Sequence, residues 1–405
     1  MENKKQLVYV GSWGNRENQG HGEGISVCTV DPTDGSLDLL QTLELEEPSV
    51  VSVSPDGRFL YAVNELCNGF DGEPGMGGGV SAMRILGDGR LELINKTPSL
   101  GSIPCYLETD PRGEYVIAAI HSGFGLTTRF VKTQEGFAAV RSYDQSALAL
   151  FRVREDGGLA PADLLPFTEP GSAVYYRRDP QKIERGYPGK PPVDKAFLQS
   201  HSFIHCVAFL SDDLFLATDR GTDMVHLCEL DREYGVLRRV HTCRVDLGQA
   251  PRHLTVHPTK PYVYMTNEVE SSVTVFEFDL EKKSFWRVQT TGVSKDQPMD
   301  AIIMPCDIHI HPSGRFLYLT NRGLNDLVVY DVDQDSGKLS MKQIYPMNRA
   351  EPRGFYLTDD GRYLVIGSKD TDELETLTVA EDGRVSATGH RVHVNTPCCV
   401  RILKR

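Results

Sequence analysis

The sequence predicts an all-β fold, a seven-bladed β-propeller with four-stranded blades whose ring is closed by pairing of the N- and C-terminal strands. Three observations predict it. First, one unit recurs at a single length: PSVVSVSPDGRFLYAVNE (48–65), PCYLETDPRGEYVIAAIH (104–121), PRHLTVHPTKPYVYMTNE (251–268), PCDIHIHPSGRFLYLTNR (305–322) and PRGFYLTDDGRYLVIGSK (352–369), with IHCVAFLSDDLFLATDR (204–220) one residue shorter at its turn. Second, a seventh copy is split between the termini, TPCCVRIL (396–403) supplying its first half and QLVYVGSW (6–13) its second. Third, two further strand-like runs follow each unit before the next begins.

Within a unit, an alternating apolar run meets a turn of the Pro-Asp-Gly kind and then a second apolar run, which is the signature of a hairpin. The following runs, such as SVTVFEFD (272–279) and LVVYDVD (327–333), bring each unit to four strands. A period of about 45 residues with four strands is that of a propeller blade. Splitting one blade across the termini closes the ring by strand pairing, so residues 6–13 are expected beside 397–403 with the C-terminal strand inside. The 405 residues then form one domain. It carries three long irregular insertions at about 66–79, 122–146 and 166–203.

Apolar residues make up 40% of the chain and charged residues 24%, an ordinary globular balance. The net charge of −13 speaks against nucleic acid or an anionic membrane as partner, because both need a basic face. Any anionic ligand must therefore meet a local group of Arg, Lys or His. No apolar stretch has the length of a signal peptide or a membrane span, so the expected location is cytoplasmic. The nine Cys include no pair at metal-site spacing, and they are read as reduced. Cys398 and Cys399, adjacent on a strand, point to opposite faces and are read as packing residues.

Hairpin geometry places a site. If the strands of a blade are lettered A to D from the channel outward, the start of A and the end of B lie at one end of the hairpin. Two rings of side chains therefore meet on one propeller face. The A-start ring is Ser49, Cys105, His205, Arg252, Cys306, Arg353 and Cys398; the B-end ring is Glu65, His121, Arg220, Glu268, Arg322, Lys369 and Trp13. Single charges at strand ends are ordinarily just solvated. A convergent ring of Glu, His and Arg in a concavity is instead the default place for a small ligand, and the three insertions open on the same face.

Other features read more simply. The Gly-rich GEPGMGGG lacks the context of a phosphate-binding loop and reads as a flexible connection. His257 and His311 belong to hairpin turns on the opposite face, while His253 and His309 lie within A strands and line the channel or bond to backbone. No His and carboxylate set has metal-ligand spacing, so neither metal nor cofactor is expected.

The PRH…HP…Y…NE and HPSGRFLY…NRG units and the opening YVG resemble the seven-bladed propeller lactonases, the family of bacterial 6-phosphogluconolactonase and fungal carboxy-muconate lactonising enzyme. The resemblance covers nearly the whole chain, apart from segments 122–146 and 166–200. It implies functional roles for His205, Arg252, Glu268 and Arg322. Glu65, His121, Arg220, Arg353 and Lys369, on the same rings, are then candidate substrate contacts. Lactone hydrolysis needs a base for water, cations for the oxyanion and a proton for the leaving ring oxygen. Glu268, or failing that His205, is the candidate base, with Arg252 pairing with Glu268 across their hairpin, and Glu268→Gln is expected to spare stability. The implied ligand is an anionic lactone or sugar acid, and an oligomer is possible. Cycloisomerisation of a muconate-like unsaturated diacid and a non-catalytic ligand-binding propeller are the alternatives. The insertion 166–203, with Tyr175, Tyr176, Arg177, Arg178 and Tyr187, is a candidate cover for the pocket.

Overall fold

A computed structural model describes residues 5–14, 20–123, 125–134, 136–172, 199–294, 303–347 and 351–404. Blade four shows the plan: strands A (Pro251–Val256), B (Tyr262–Asn267), C (Ser272–Asp279) and D (Ser284–Gly292) are hydrogen-bonded in that order, each antiparallel to the next. Five more sheets repeat it, with inner strands Val51–Val53, Pro104–Thr109, Ile204–Phe209, Met304–Ile310 and Pro352–Leu357. In blade seven, strand A is Pro397–Ile402 and strand B is Gln6–Ser12, with Val8 opposite Ile402 and Val10 opposite Val400. Inner strands of successive blades touch in ring order, and that of blade seven meets blade six on one side and blade one on the other.

The repeated residues explain the repeated geometry. In the blade-one turn, Gly57 takes a left-handed conformation (φ 69°) that a side chain would disfavour, and its N–H donates to the Ser54 carbonyl at 2.9 Å. Blade four has no Gly there, and the His257 Nδ1 accepts from the N–H groups of Thr259 and Lys260 instead. The far nitrogens of His257 and His311 lie 3.2 Å from the carbonyls of Gly314 and Gly361 in the next blade's turn, so both histidines fasten neighbouring blades. The Tyr of the FLY motif does the same elsewhere: Tyr318 is fully buried and its hydroxyl donates to the Gly383 carbonyl at 2.9 Å. Apolar side chains on both faces of B and C fill the space between blades.

The insertions differ from a uniform set of irregular loops. Residues 122–146 contain a regular hairpin, Leu126–Thr133 against Gly136–Tyr143, whose alternation is masked in the sequence by Thr, Arg and Lys on an exposed ribbon. In the first insertion, Phe70 is buried and touches the position where Gly79 would carry a side chain, so the Gly-rich stretch makes room for a ring. Of the third, residues 173–198 lie outside the described residues, and with them Tyr175, Tyr176, Arg177, Arg178 and Tyr187. Its two ends meet in a bridge between Pro170 and His201. Among the described residues, no helix is long and apolar enough to cross a membrane.

Candidate active site

The ends of the A–B hairpins are built by one device. In blades one, two, four and six, the residue before the leading Pro takes a left-handed conformation, as at Glu47 (φ 46°), Ile103, Ala250 and Glu351 (φ 55° each), although a residue before Pro normally stays extended. Its carbonyl accepts the N–H of the B-end residue: Glu65 on Glu47, His121 on Ile103, Glu268 on Ala250 and Lys369 on Glu351, at 2.9–3.1 Å. Just after the Pro, the pairing slips by a bulge, at Pro104/Tyr106, Pro251/Leu254, Pro305/Ile308 and Pro352/Phe355, and blade three slips likewise at Ile204/Cys206. Bulges turn side chains out of the ordinary alternation, and here they aim Cys105, His205, Arg252, Cys306 and Arg353 at the axis. A Thr on the preceding blade fixes the next ring position: Thr218 donates to the Arg252 carbonyl at 2.7 Å and Thr320 to that of Arg353 at 3.0 Å.

The result is one cavity of about 230 Å³, lined by every member of the A-start ring and by Trp13, Glu65, His121, Arg220, Glu268 and Arg322 of the B-end ring. Lys369 is the exception. Its ammonium is drawn aside to Glu351 at 3.4 Å and Asp370 at 3.3 Å, and it stands outside the lining. His253, Asp307 and Arg401 complete the floor. Arg401 was the less visible of these, since its signal is only a charged residue alternating with apolar ones on an innermost strand.

Glu268 is the hub, 4% exposed. Arg220 Nε binds one carboxylate oxygen and Arg322 Nη2 the other, while Arg252 Nε stands 3.9 Å away. The expected pairing with Arg252 across the hairpin is therefore the longest of the three contacts. The closer partners come from the flanking blades three and five, a relation that only ring closure creates. Burial works to raise the Glu268 pKa, but Arg220, Arg322 and Arg252 outweigh it and hold the carboxylate well below its usual range. Such a group stays ionised, and both of its oxygens are already engaged by guanidiniums.

The histidines behave differently. Burial, then Arg252 and neighbouring imidazoles, push the His205 pKa well below the ordinary value, so the ring is neutral near pH 7. Its Nδ1 is buried and has no hydrogen-bond partner among the described residues; Arg252 Nε is in the same position. His121 is pushed down to about 3 by burial and by Arg220, whose Nη1 lies 3.3 Å from its Nε2. A column of rings links this cluster to the 126–143 hairpin: Tyr143 stacks on His201 at 4.1 Å, His201 meets Phe203, and Phe203 stacks on His121 at 4.3 Å.

Across the ring, Glu65 accepts from the Trp13 indole at 3.1 Å, and its pKa is raised by burial against the opposing pull of its hydrogen bonds and Arg353. Arg353 lies over the Trp13 ring at 4.0 Å and donates to Glu351 at 2.8 Å. The nine Cys are all free, Cys398 donating to backbone carbonyls of Gly11 and Ser49. No group of three or more His, Cys, Asp or Glu among the described residues is arranged to hold a metal ion.

Residues 7–402 match the profile of the seven-bladed β-propeller lactonases. The chain belongs to that family. Among relatives of this lactonase family, the 6-phosphogluconolactonase of Bacillus subtilis is 25% identical over 98% of this chain and 99% of its own. That of Formosa agariphila is 26% identical over 89% of each. The periplasmic gluconolactonase of Pseudomonas aeruginosa superposes with a TM-score of 0.79 at 24% identity, covering 99% of both chains, and shows the shared propeller fold. The cavity described above thus belongs to a propeller lactonase.

Proposed function

We propose that this propeller lactonase hydrolyses the ester of an anionic sugar-acid lactone, of the 6-phosphogluconolactone type, in the cavity between the A-start and B-end rings. The observation that carries this reading is the convergence of His205, Arg252, Glu268 and Arg322 on one cavity, where a neutral imidazole and a guanidinium each keep a buried nitrogen, His205 Nδ1 and Arg252 Nε, without a hydrogen-bond partner among the described residues. The charge of the cavity supports an anion. Its lining holds five guanidiniums (Arg220, Arg252, Arg322, Arg353, Arg401) against three carboxyl groups (Glu65, Glu268, Asp307), and counting Glu351 behind Arg353 still leaves an excess of one, in a chain of net charge −13.

In this mechanism the His205 imidazole takes a proton from water as its oxygen attacks the acyl carbon. Arg252 and Arg322 stabilise the oxyanion. The acyl–oxygen bond then breaks, and the ring oxygen leaves with the proton that His205 gives back. The hydroxy acid formed releases one proton to solvent. Glu268 shapes the cationic wall rather than moving protons, and Glu65, Arg353 and His121 meet the substrate's hydroxyl and anionic groups. Every step uses side chains of this chain, so the reading is of a metal-independent enzyme. A cytosolic location is part of the same proposal, since nine free thiols suit a reducing compartment.

The test is product identification by NMR after incubation with a phosphorylated sugar lactone and, separately, with a muconate-like unsaturated diacid. Ring-opened hydroxy acid from the first, formed faster than its spontaneous hydrolysis, with the second unchanged, is the expected result. Conversion of the diacid alone would replace hydrolysis by cycloisomerisation, and turnover of neither would make the cavity a binding site.

A further inference from the structure

We propose that Asp307, acting through His253, is a positioning residue that fixes the orientation in which Arg252 meets the oxyanion, a role that rests on the lactonase reading above. Asp307 lies in the bulge of the blade-five inner strand, and its carboxylate ties three blades together. One oxygen accepts from His253 Nδ1 at 2.9 Å, on blade four, and from the Ile308 N–H at 3.1 Å; the other accepts from His309 Nε2 at 3.1 Å and from the Phe355 N–H at 3.2 Å, on blade six. The Asp307 N–H is itself held by Thr320 Oγ1 at 3.2 Å.

The direction of each bond follows from the first. His309 and His253 outweigh the effect of burial and keep Asp307 ionised, so it can only accept, and His253 Nδ1 must donate to it. Burial and Arg252, against the pull of Asp307, push the His253 pKa down to about 3, leaving a neutral ring whose Nε2 carries a lone pair. That lone pair faces Arg252 Nη1 at 2.9 Å, and the same Nη1 donates to the Cys306 carbonyl at 2.9 Å. One edge of the guanidinium is thus clamped, and its Nε, 3.9 Å from Glu268, has no hydrogen-bond partner among the described residues. With Tyr106 edge-on to His253 at 5.3 Å and His205 at 5.4 Å, the ring cannot turn without disturbing the site. A carboxylate, an imidazole and a guanidinium in series convert the fixed charge of Asp307 into a fixed direction for Arg252.

The experiment compares His253→Phe with His253→Gln in the full chain, reading kcat and KM on a phosphorylated sugar lactone together with the melting temperature. Phe fills the space and breaks both bonds, whereas the Gln amide can accept from Arg252 and donate to Asp307. His253→Phe is expected to lower kcat by about 10²-fold, as a misdirected group does, with KM moved less than about threefold. His253→Gln is expected to recover most of that loss. Equal losses in the two variants, or a Phe effect confined to KM or to the melting temperature, would overturn the proposal. Ring ¹⁵N shifts of His253 supply a reading independent of activity: the Nδ1–H tautomer in the native chain and its loss in Asp307→Ala are expected, and an Nε2–H tautomer in the native chain contradicts the assignment. Absence of lactone turnover in the native chain would sink the lactonase reading, while the tautomer would still decide the positioning chain.

Discussion

Glu268→Gln is expected to lose folding stability and turnover together. The carboxylate is the shared counter-charge of Arg220, Arg322 and Arg252, all three nearly inaccessible to solvent. Removing one partner from a buried ionic cluster leaves the others uncompensated and costs about 3–5 kcal/mol, an effect that denaturant unfolding resolves readily. This differs from the expectation drawn from the sequence that the exchange would spare stability, because the carboxylate lies among three buried guanidiniums from blades three, four and five. Activity should fall as well, because Arg252 and Arg322 would move apart without the anion between them. An unchanged unfolding midpoint would show that the three guanidiniums find other partners.

His205→Asn should do nearly the opposite, with little change in stability and a fall in kcat of about 10²- to 10⁴-fold, the contribution of a general base. The Nδ1 atom it removes makes no hydrogen bond among the described residues, so no partner is orphaned. The pH profile carries a sign. The base must be deprotonated, and burial and Arg252 lower its pKa, so the acid limb of kcat/KM in the native enzyme lies below the ordinary histidine value of about 6.5. Replacing Arg252 by Gln removes one of those depressing charges and should move the limb to higher pH. A downward movement, or a His205→Asn enzyme with native kcat, would assign the base elsewhere.

The seven blades were legible because period-2 alternation and turn chemistry are local, and each hairpin states both within one short unit. The two rings were legible for a related reason: once A and B pair, their open ends share one face. Much of what escaped depends on how blades meet. Glu268 is bound by Arg220 and Arg322 from its neighbours rather than chiefly by Arg252 of its own hairpin. Lys369 stands outside the cavity for a reason within its own hairpin, where Glu351, before the leading Pro of blade six, binds its ammonium. The Asp307 to Arg252 chain crosses from blade five to blade four, and its members sit in bulges, where alternation no longer tells which way a side chain points. The 126–143 hairpin is an exposed ribbon without an apolar face to announce it.

The central claim is that an excess of guanidinium charge in a small cavity selects an anionic lactone for hydrolysis. The most direct measurement is the ratio of kcat/KM for 6-phosphoglucono-lactone to that for the unphosphorylated lactone, followed by proton release with spontaneous hydrolysis subtracted. Charge-assisted hydrogen bonds are worth about 1.5–3 kcal/mol each, so two of them predict a ratio of about 10² or more. Equal turnover of the two lactones, or none of either above the spontaneous rate, would contradict the account.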